Sequence, residues 1–195
     1  MERQKDYYTK LARSFGYAAR SVYKLKQMNE RFRLIKAGSR ILDLGAFPGS
    51  WSSYALEVLK GRGRVVGVDL QELESIGREK QNWQFIQGDI FSTELLERLI
   101  ELGPFDLILS DTAPATSGNK MVDCERSLEI GQQVLTIAES VLDKGGQLVI
   151  KIFQGGREKQ LLDQLCKKFV KARAFKPEAS RKESKEVFFL GFKRK

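Results

Sequence analysis

The chain has 195 residues, 42% of them hydrophobic and 30% charged, with a formal net charge of +9 and no histidine. That length suits one domain with a proper core, and no apolar run approaches the roughly 20 residues that a membrane span needs. Without histidine the usual general base, the usual metal ligand and every His-dependent nucleophile are excluded, so chemistry must run on Lys, Asp, Glu, Ser, Thr or Tyr.

Charge is unevenly placed along the chain. Residues 1–36 carry ten Lys/Arg against three acids, residues 37–156 eleven against seventeen, and residues 157–195 thirteen against five. An acidic middle between basic ends suits a face for a polyanion, although a solvated surface gives the same count. The first residues, Met1-Glu2-Arg3-Gln4-Lys5-Asp6, lack the apolar core of a signal peptide, so a cytoplasmic protein without a membrane partner is expected. Tyr7, Tyr8, Phe15, Tyr17 and Tyr23 interleave with the N-terminal cations. Such rings stack on unpaired bases, which points to RNA, or else form the apolar side of a helix. Residues 1–36 are accordingly read as a basic, helical, RNA-binding extension of a single domain, with 37–195 as its catalytic core.

Ala18–Phe32 is predicted as an amphipathic helix burying Val22, Leu25, Met28 and Phe32, with Lys24 at the edge of that stripe. Strands are predicted at Arg40–Leu44, Arg64–Val68, Trp83–Ile86, Phe105–Leu109 and Gly146–Ile152. Several are continuous apolar runs, as expected for parallel strands covered on both faces. Helical patterns separate them: Leu128, Leu135, Ala138 and Leu142 recur at helical spacing, as do Leu161, Leu165 and Phe169. Gly145-Gly146 reads as a helix end. Cys166, beside the second stripe, reads as a small core residue, and Cys124 and Cys166 have no metal-site spacing. Val170–Phe175 and Glu186–Phe192 have no helix between them and should pair as a hairpin. The sum is an α/β fold, a mostly parallel seven-stranded sheet with one antiparallel strand and helices on both faces.

Ligands of such sheets bind outside the carboxyl ends of the strands. The first strand runs into Gly45-Ala46-Phe47-Pro48-Gly49-Ser50-Trp51 and a helix, so backbone and helix N-terminus can approach a ligand closely. No G-x-G-x-x-G is present, which disfavours a dinucleotide and a nicotinamide-dependent oxidoreductase. Asp69 ends the second strand, placed for ribose hydroxyls or as a helix cap. After the third strand, Asp89 is placed for an adenine amino group and Ile90 to pack on the ring. Asp111 follows the fourth strand. Lys151 lies inside an apolar strand, where a lysine is costly unless paired or used.

These residues resemble a family. Arg20-Ser21-Val22-Tyr23-Lys24-Leu25, the Asp43–Trp51 loop, Ser110-Asp111-Thr112-Ala113-Pro114 with Ser117-Gly118, Val149–Gly155, and Ser180-Arg181 through Ser184-Lys185-Glu186-Val187 are similar to the FtsJ-like ribosomal RNA 2′-O-methyltransferases. The resemblance implies a Rossmann-like class I methyltransferase fold using S-adenosylmethionine and releasing S-adenosylhomocysteine. It implies a catalytic tetrad of Lys24, Asp111, Lys151 and Glu186, cofactor contacts at Gly45, Gly49, Trp51, Asp69, Leu70, Asp89, Ile90 and Asp111, and no metal. By the same resemblance the substrate is a uridine of large-subunit ribosomal RNA, free or in the subunit, with no obligatory protein partner. Transfer RNA and messenger RNA caps are the alternative targets, and a non-catalytic RNA-binding module is the alternative to an enzyme. Phe47 and Ser50 depart from the family's usual Ala and Gly, and Thr112, Ala115 and Thr116 from its usual Met, Asn and Met.

Overall fold

A computed structural model describes residues 2–73, 76, 81–181 and 183–195. The elements run α1 (Glu2–Ser14), α2 (Val22–Phe32), β1 (Arg40–Leu44), α3 (Ser50–Leu59), β2 (Arg64–Asp69), β3 (Trp83–Gln87), α4 (Thr93–Leu102), β4 (Phe105–Ser110), α5 (Lys120–Val141), β5 (Leu142–Phe153), α6 (Lys159–Lys168), β6 (Phe169–Phe175) and β7 (Glu186–Arg194). The seven strands form one sheet in the order β3-β2-β1-β4-β5-β7-β6. Strands β1 to β5 pair in parallel, while β7 is antiparallel to both β5 and β6. The reversal follows from the β6–β7 connection, which contains no helix among its described residues and so returns the chain as a hairpin. No helix among the described residues is long and apolar enough to cross a membrane.

Successive side chains of a strand point to opposite faces, and the buried runs feed two cores. Leu42, Leu44, Val66, Val68, Ile108 and Ile150 pack against α4, α5 and α6. Ile41, Val65, Leu107, Leu109, Val149 and Phe188 pack against α1, α2 and α3. By this alternation Asp43 and Lys151 project to the second face, the one carrying α2.

Local expectations are corrected at four points. Helix α2 begins at Val22, not Ala18; residues 18–21 turn instead, and the amide of Ala19 donates to the Ser50 hydroxyl at 2.7 Å. Gly145-Gly146 does not end a helix. Helix α5 stops at Val141, and the two glycines lie in an irregularity within β5, where the pairing with β4 jumps from Phe105↔Leu142 to Leu107↔Gln147. Cys166 is exposed, since the buried stripe of α6 is Leu161 and Leu165 and the next residue turns about 100° away from it. Leu142 and Phe169, expected on helices, open β5 and β6 and are buried there.

Candidate active site

A cavity of about 550 Å³ crosses the carboxyl ends of β1, β2, β3 and β4, with Gly45, Asp69, Leu70, Asp89, Ile90 and Asp111 in its wall. Phe47, Phe91, Thr112 and Ile130 complete much of the lining. Gly49 caps α3 at φ 97°, a backbone conformation that favours glycine, and the chain enters the helix directly from the β1 loop.

The carboxylates here are aimed by the backbone. Asp69 accepts the amide of Phe47 on Oδ2 and that of Gln71 on Oδ1, both at 2.9 Å, and no described helix starts at it. Asp89 Oδ1 accepts the Phe91 amide at 3.0 Å, while capping of α4 falls to Ser92, which accepts Leu95 N at 3.3 Å. Asp69 and Asp89 thus line the cavity as preoriented acceptors rather than as caps.

Lys151 is buried at 7% exposure, with Nζ 3.1 Å from Asp111 Oδ1 and a hydrogen bond donated to the Asp111 carbonyl. The carboxylate contact is an ion pair outside hydrogen-bonding geometry, because Oδ1 has no hydrogen-bond partner. Lys24 reaches from α2 to place its Nζ 2.7 Å from Glu186 Oε2, at the first residue of β7. Phe188 stands between the pairs. It lies opposite Lys151 in the β5–β7 register, with Lys24 Nζ 5.8 Å from its ring centroid. Burial pushes the Glu186 carboxyl upward. The Lys24 charge and hydrogen bond, the Ser180 hydroxyl and the Lys151 charge outweigh that and hold it below the ordinary glutamate value. The structure therefore brings Lys24, Asp111, Lys151 and Glu186, remote in sequence, to one place.

A second cavity, of about 230 Å³, opens at Lys24 and Glu186. Arg20, Ser21, Lys24, Ala179, Arg181, Ser184 and Glu186 line it. Asp111 lines the large acidic cavity and Lys24 and Glu186 the small basic one, while Lys151 lies buried behind Asp111 and lines neither.

Gly49 and Trp51 are placed differently from the other expected contacts. Neither lies in the wall of the large cavity. Trp51 is 3% exposed, donates Nε1–H to the Ser21 carbonyl at 2.9 Å and packs on Phe188 with centroids 5.8 Å apart. Together with the Ser50–Ala19 bond, this ties the start of α3 to residues 19–21. The departure at Ser50 therefore has a structural use. So does that at Thr112, whose hydroxyl donates to the Leu44 carbonyl at 2.9 Å and accepts from Ser110 at 3.0 Å, joining the loop after β4 to the end of β1. Asp43 escaped the sequence reading. It is wholly buried, accepts Ser52 Oγ–H at 2.6 Å, and is pushed up to about 7 by burial first and then by Asp111 and Asp69. The signal was available, since Asp43 interrupts an apolar strand as Lys151 does.

A doubly wound sheet with the reversed strand β7 between β5 and β6, and a cavity over the ends of β1 to β4, defines the class I methyltransferase fold. Residues 17–194 match the model of the FtsJ-like methyltransferases. Ribosomal RNA large subunit methyltransferase E of Treponema denticola is 47% identical over 187 residues, covering 95% of this chain and 93% of that protein. The protein of the same description from Borrelia garinii is 42% identical over 186 residues, covering 95% of each. Among solved structures, one described as a ribosomal RNA methyltransferase of Plasmodium falciparum superposes with a TM-score of 0.80 at 26% identity, over 91% of this chain and 98% of that one. Fibrillarin of Aeropyrum pernix, solved with natively bound S-adenosyl-L-methionine, shares the fold at a TM-score of 0.64 and 19% identity, over 88% of this chain and 76% of that one. The chain belongs to the FtsJ-like methyltransferase family and is a methyltransferase.

Proposed function

We propose that this protein methylates a ribose 2′-hydroxyl of large-subunit ribosomal RNA, with S-adenosylmethionine as donor, and does so in the cytoplasm. The observation that carries the reading is the meeting of two charge pairs: Lys151–Asp111, 3.1 Å across, with Asp111 in the wall of the acidic cavity, and Lys24–Glu186, 2.7 Å across, in the wall of the basic one. The acidic cavity fits the donor. Its volume lies in the range of cofactor pockets, its carboxylates at Asp69, Asp89 and Asp111 suit ribose hydroxyls, an amino group and a cation, and Leu70 and Ile90 offer apolar contact. Gly45 lets the backbone come close, while Gly49 and Trp51 support the loop from behind. When bound, S-adenosylmethionine supplies an activated methyl group, so the protein has to supply a competent nucleophile and its alignment.

Lys151 meets the ribose hydroxyl as it loses its proton, as general base or as the cation beside the developing alkoxide. Asp111, through both its carboxylate and its carbonyl, fixes the position of the ammonium. Lys24 and Glu186 hold each other at the substrate side, where a hydroxyl can donate to the carboxylate and accept from the ammonium. Large-subunit rRNA is favoured by relatives near 95% coverage that carry that substrate in their description. The test is to map 2′-O-methyl positions in RNA from cells with and without this protein, and to add purified protein back. Loss and restoration of a large-subunit position is expected. A change confined to transfer RNA, or none, overturns the reading.

A further inference from the structure

We propose that the 230 Å³ cavity seats a phosphodiester of the RNA strand, gripped by Arg20 and Arg181 with the hydroxyls of Ser21 and Ser184, so that the adjoining ribose meets Lys24 and Glu186. The proposal rests on the ribose-methylation reading and adds to it the group by which the target nucleotide is held. Among the described residues, the cations Arg20, Lys24 and Arg181 line the cavity with one carboxylate, Glu186, which accepts from Lys24 at 2.7 Å. The volume is below the roughly 300 Å³ at which pockets for drug-sized ligands begin, and suits a phosphate better than a nucleoside.

The cationic wall is built rather than loosely displayed. Arg20 donates Nη2–H to the Ala179 carbonyl at 2.8 Å, and its guanidinium lies 5.7 Å from the Tyr8 ring centroid. The residues on either side of Arg20 are fastened to α3, Ala19 through Ser50 and Ser21 through Trp51. Ser21 occupies the N-cap position of α2 without using its hydroxyl as a cap. Burial, and then the nearby charge of Arg181, lower the proton affinity of Arg20, and the Glu186 carboxylate only partly opposes them. Two guanidiniums crowded in this way gain from a shared anion, and the planar fork of each matches phosphate oxygens.

Arg181→Gln removes one fork at an exposed position outside the tetrad. The KM for large-subunit RNA is expected to rise about tenfold, as for one charged hydrogen bond lost, with kcat at saturating RNA retained. The slope of log affinity against log salt should become shallower by about one, and Arg181→Lys should recover only part of the KM. An unchanged KM and salt slope in Arg181→Gln, or a parallel loss of S-adenosylhomocysteine affinity, overturns the proposal. Inorganic phosphate titrated into the protein and followed by phosphorus NMR separates this from failure of the broader reading. Binding by the wild type that is lost in Arg181→Gln supports the cavity even if no RNA is methylated, and absence of binding by the wild type ends it.

Discussion

Replacing Lys151 by Met keeps most of the aliphatic stem and deletes the ammonium. The side chain of Asp111 is 16% exposed and would lose the cation 3.1 Å away, while Asp43 and Glu186 persist nearby as acids. Breaking a buried ion pair costs about 3–5 kcal/mol. Because Asp111 opens on the large cavity and keeps solvent on that side, the lower end applies, about 3 kcal/mol. A chain of this length loses about 2–4 °C per kcal/mol, so Tm should fall by about 6–12 °C. Adding Asp111→Asn removes the stranded charge and should restore most of that loss without restoring turnover. Methyl transfer should drop by about a hundred- to ten-thousand-fold, the range for a positioned acid–base group. S-adenosylhomocysteine binding should be little changed, since Lys151 is not in the cavity wall. Scanning calorimetry, heats of cofactor binding and single-turnover transfer of labelled methyl to large-subunit RNA measure the three effects. Turnover within tenfold of wild type, or an unchanged Tm, refutes the assignment of Lys151 as the paired group on which transfer depends.

Asp43 sets a pH dependence of stability. Its folded value of about 7 lies above the ordinary 3.8, so the fold prefers the protonated acid. Stability should therefore decline as pH rises from about 4 to about 7 and level off above, by about 4 kcal/mol in all. Urea unfolding of Asp43→Asn at pH 5 and pH 8 should lack that decline, and the wild-type slope persisting in the variant would exclude Asp43 as its source. Gly45→Ala should cost about 2 kcal/mol or more and weaken S-adenosylhomocysteine binding. At φ 79° the new Cβ would stand 2.4 Å from Thr112 Oγ1 and 3.0 Å from Thr112 Cα; wild-type thermal stability would show that the loop can give way. Phe47 lines the cavity and is 44% exposed, so Phe47→Ala should weaken cofactor binding about fivefold, near 1 kcal/mol of apolar contact, with Tm unmoved. Calorimetric affinities equal in the two proteins would place the ring outside the ligand's reach.

The sheet was legible because its buried strands are apolar runs such as Val65-Val66-Gly67-Val68 and Leu107-Ile108-Leu109, whose type does not depend on distant partners. Lys151 was legible for the complementary reason, as a charge where the local environment makes charge costly, and Asp111 from its place at the carboxyl end of the fourth strand. Glu186 could be singled out only through the family pattern, since its place beside Lys24 depends on β7 threading between β5 and β6. Local pattern failed at residues 18–21, which turn ahead of α2 with the Ala19 amide bonded to Ser50 of a different helix. Trp51 was singled out through the family pattern, and in the structure its indole N–H donates to the Ser21 carbonyl.

The lopsided charge along the chain acquires a meaning once the two cavities are compared. The donor is a sulfonium cation, and the wall meeting it draws Asp69, Asp89 and Asp111 from the acidic middle. The acceptor belongs to a polyanion, and the wall on that side draws Arg20 and Lys24 from the basic N-terminal stretch and Arg181 from the basic C-terminal one. A sheet that began and ended with its acidic segment would have only the first wall. Packing α2 and the β6–β7 connection over the same strand ends adds the second, and Lys24–Glu186 joins the N-terminal and C-terminal segments directly within it. Ser50 and Trp51 tie the donor-side loop to Ser21 of the acceptor-side wall, a mechanical link between the sites. Truncating Ser50 to Ala should therefore weaken RNA binding more than S-adenosylhomocysteine binding, even though Ser50 belongs to the donor loop by sequence. Paired titrations with RNA and with S-adenosylhomocysteine measure that ratio, and an effect confined to the cofactor would mean that the loop supports its own cavity alone.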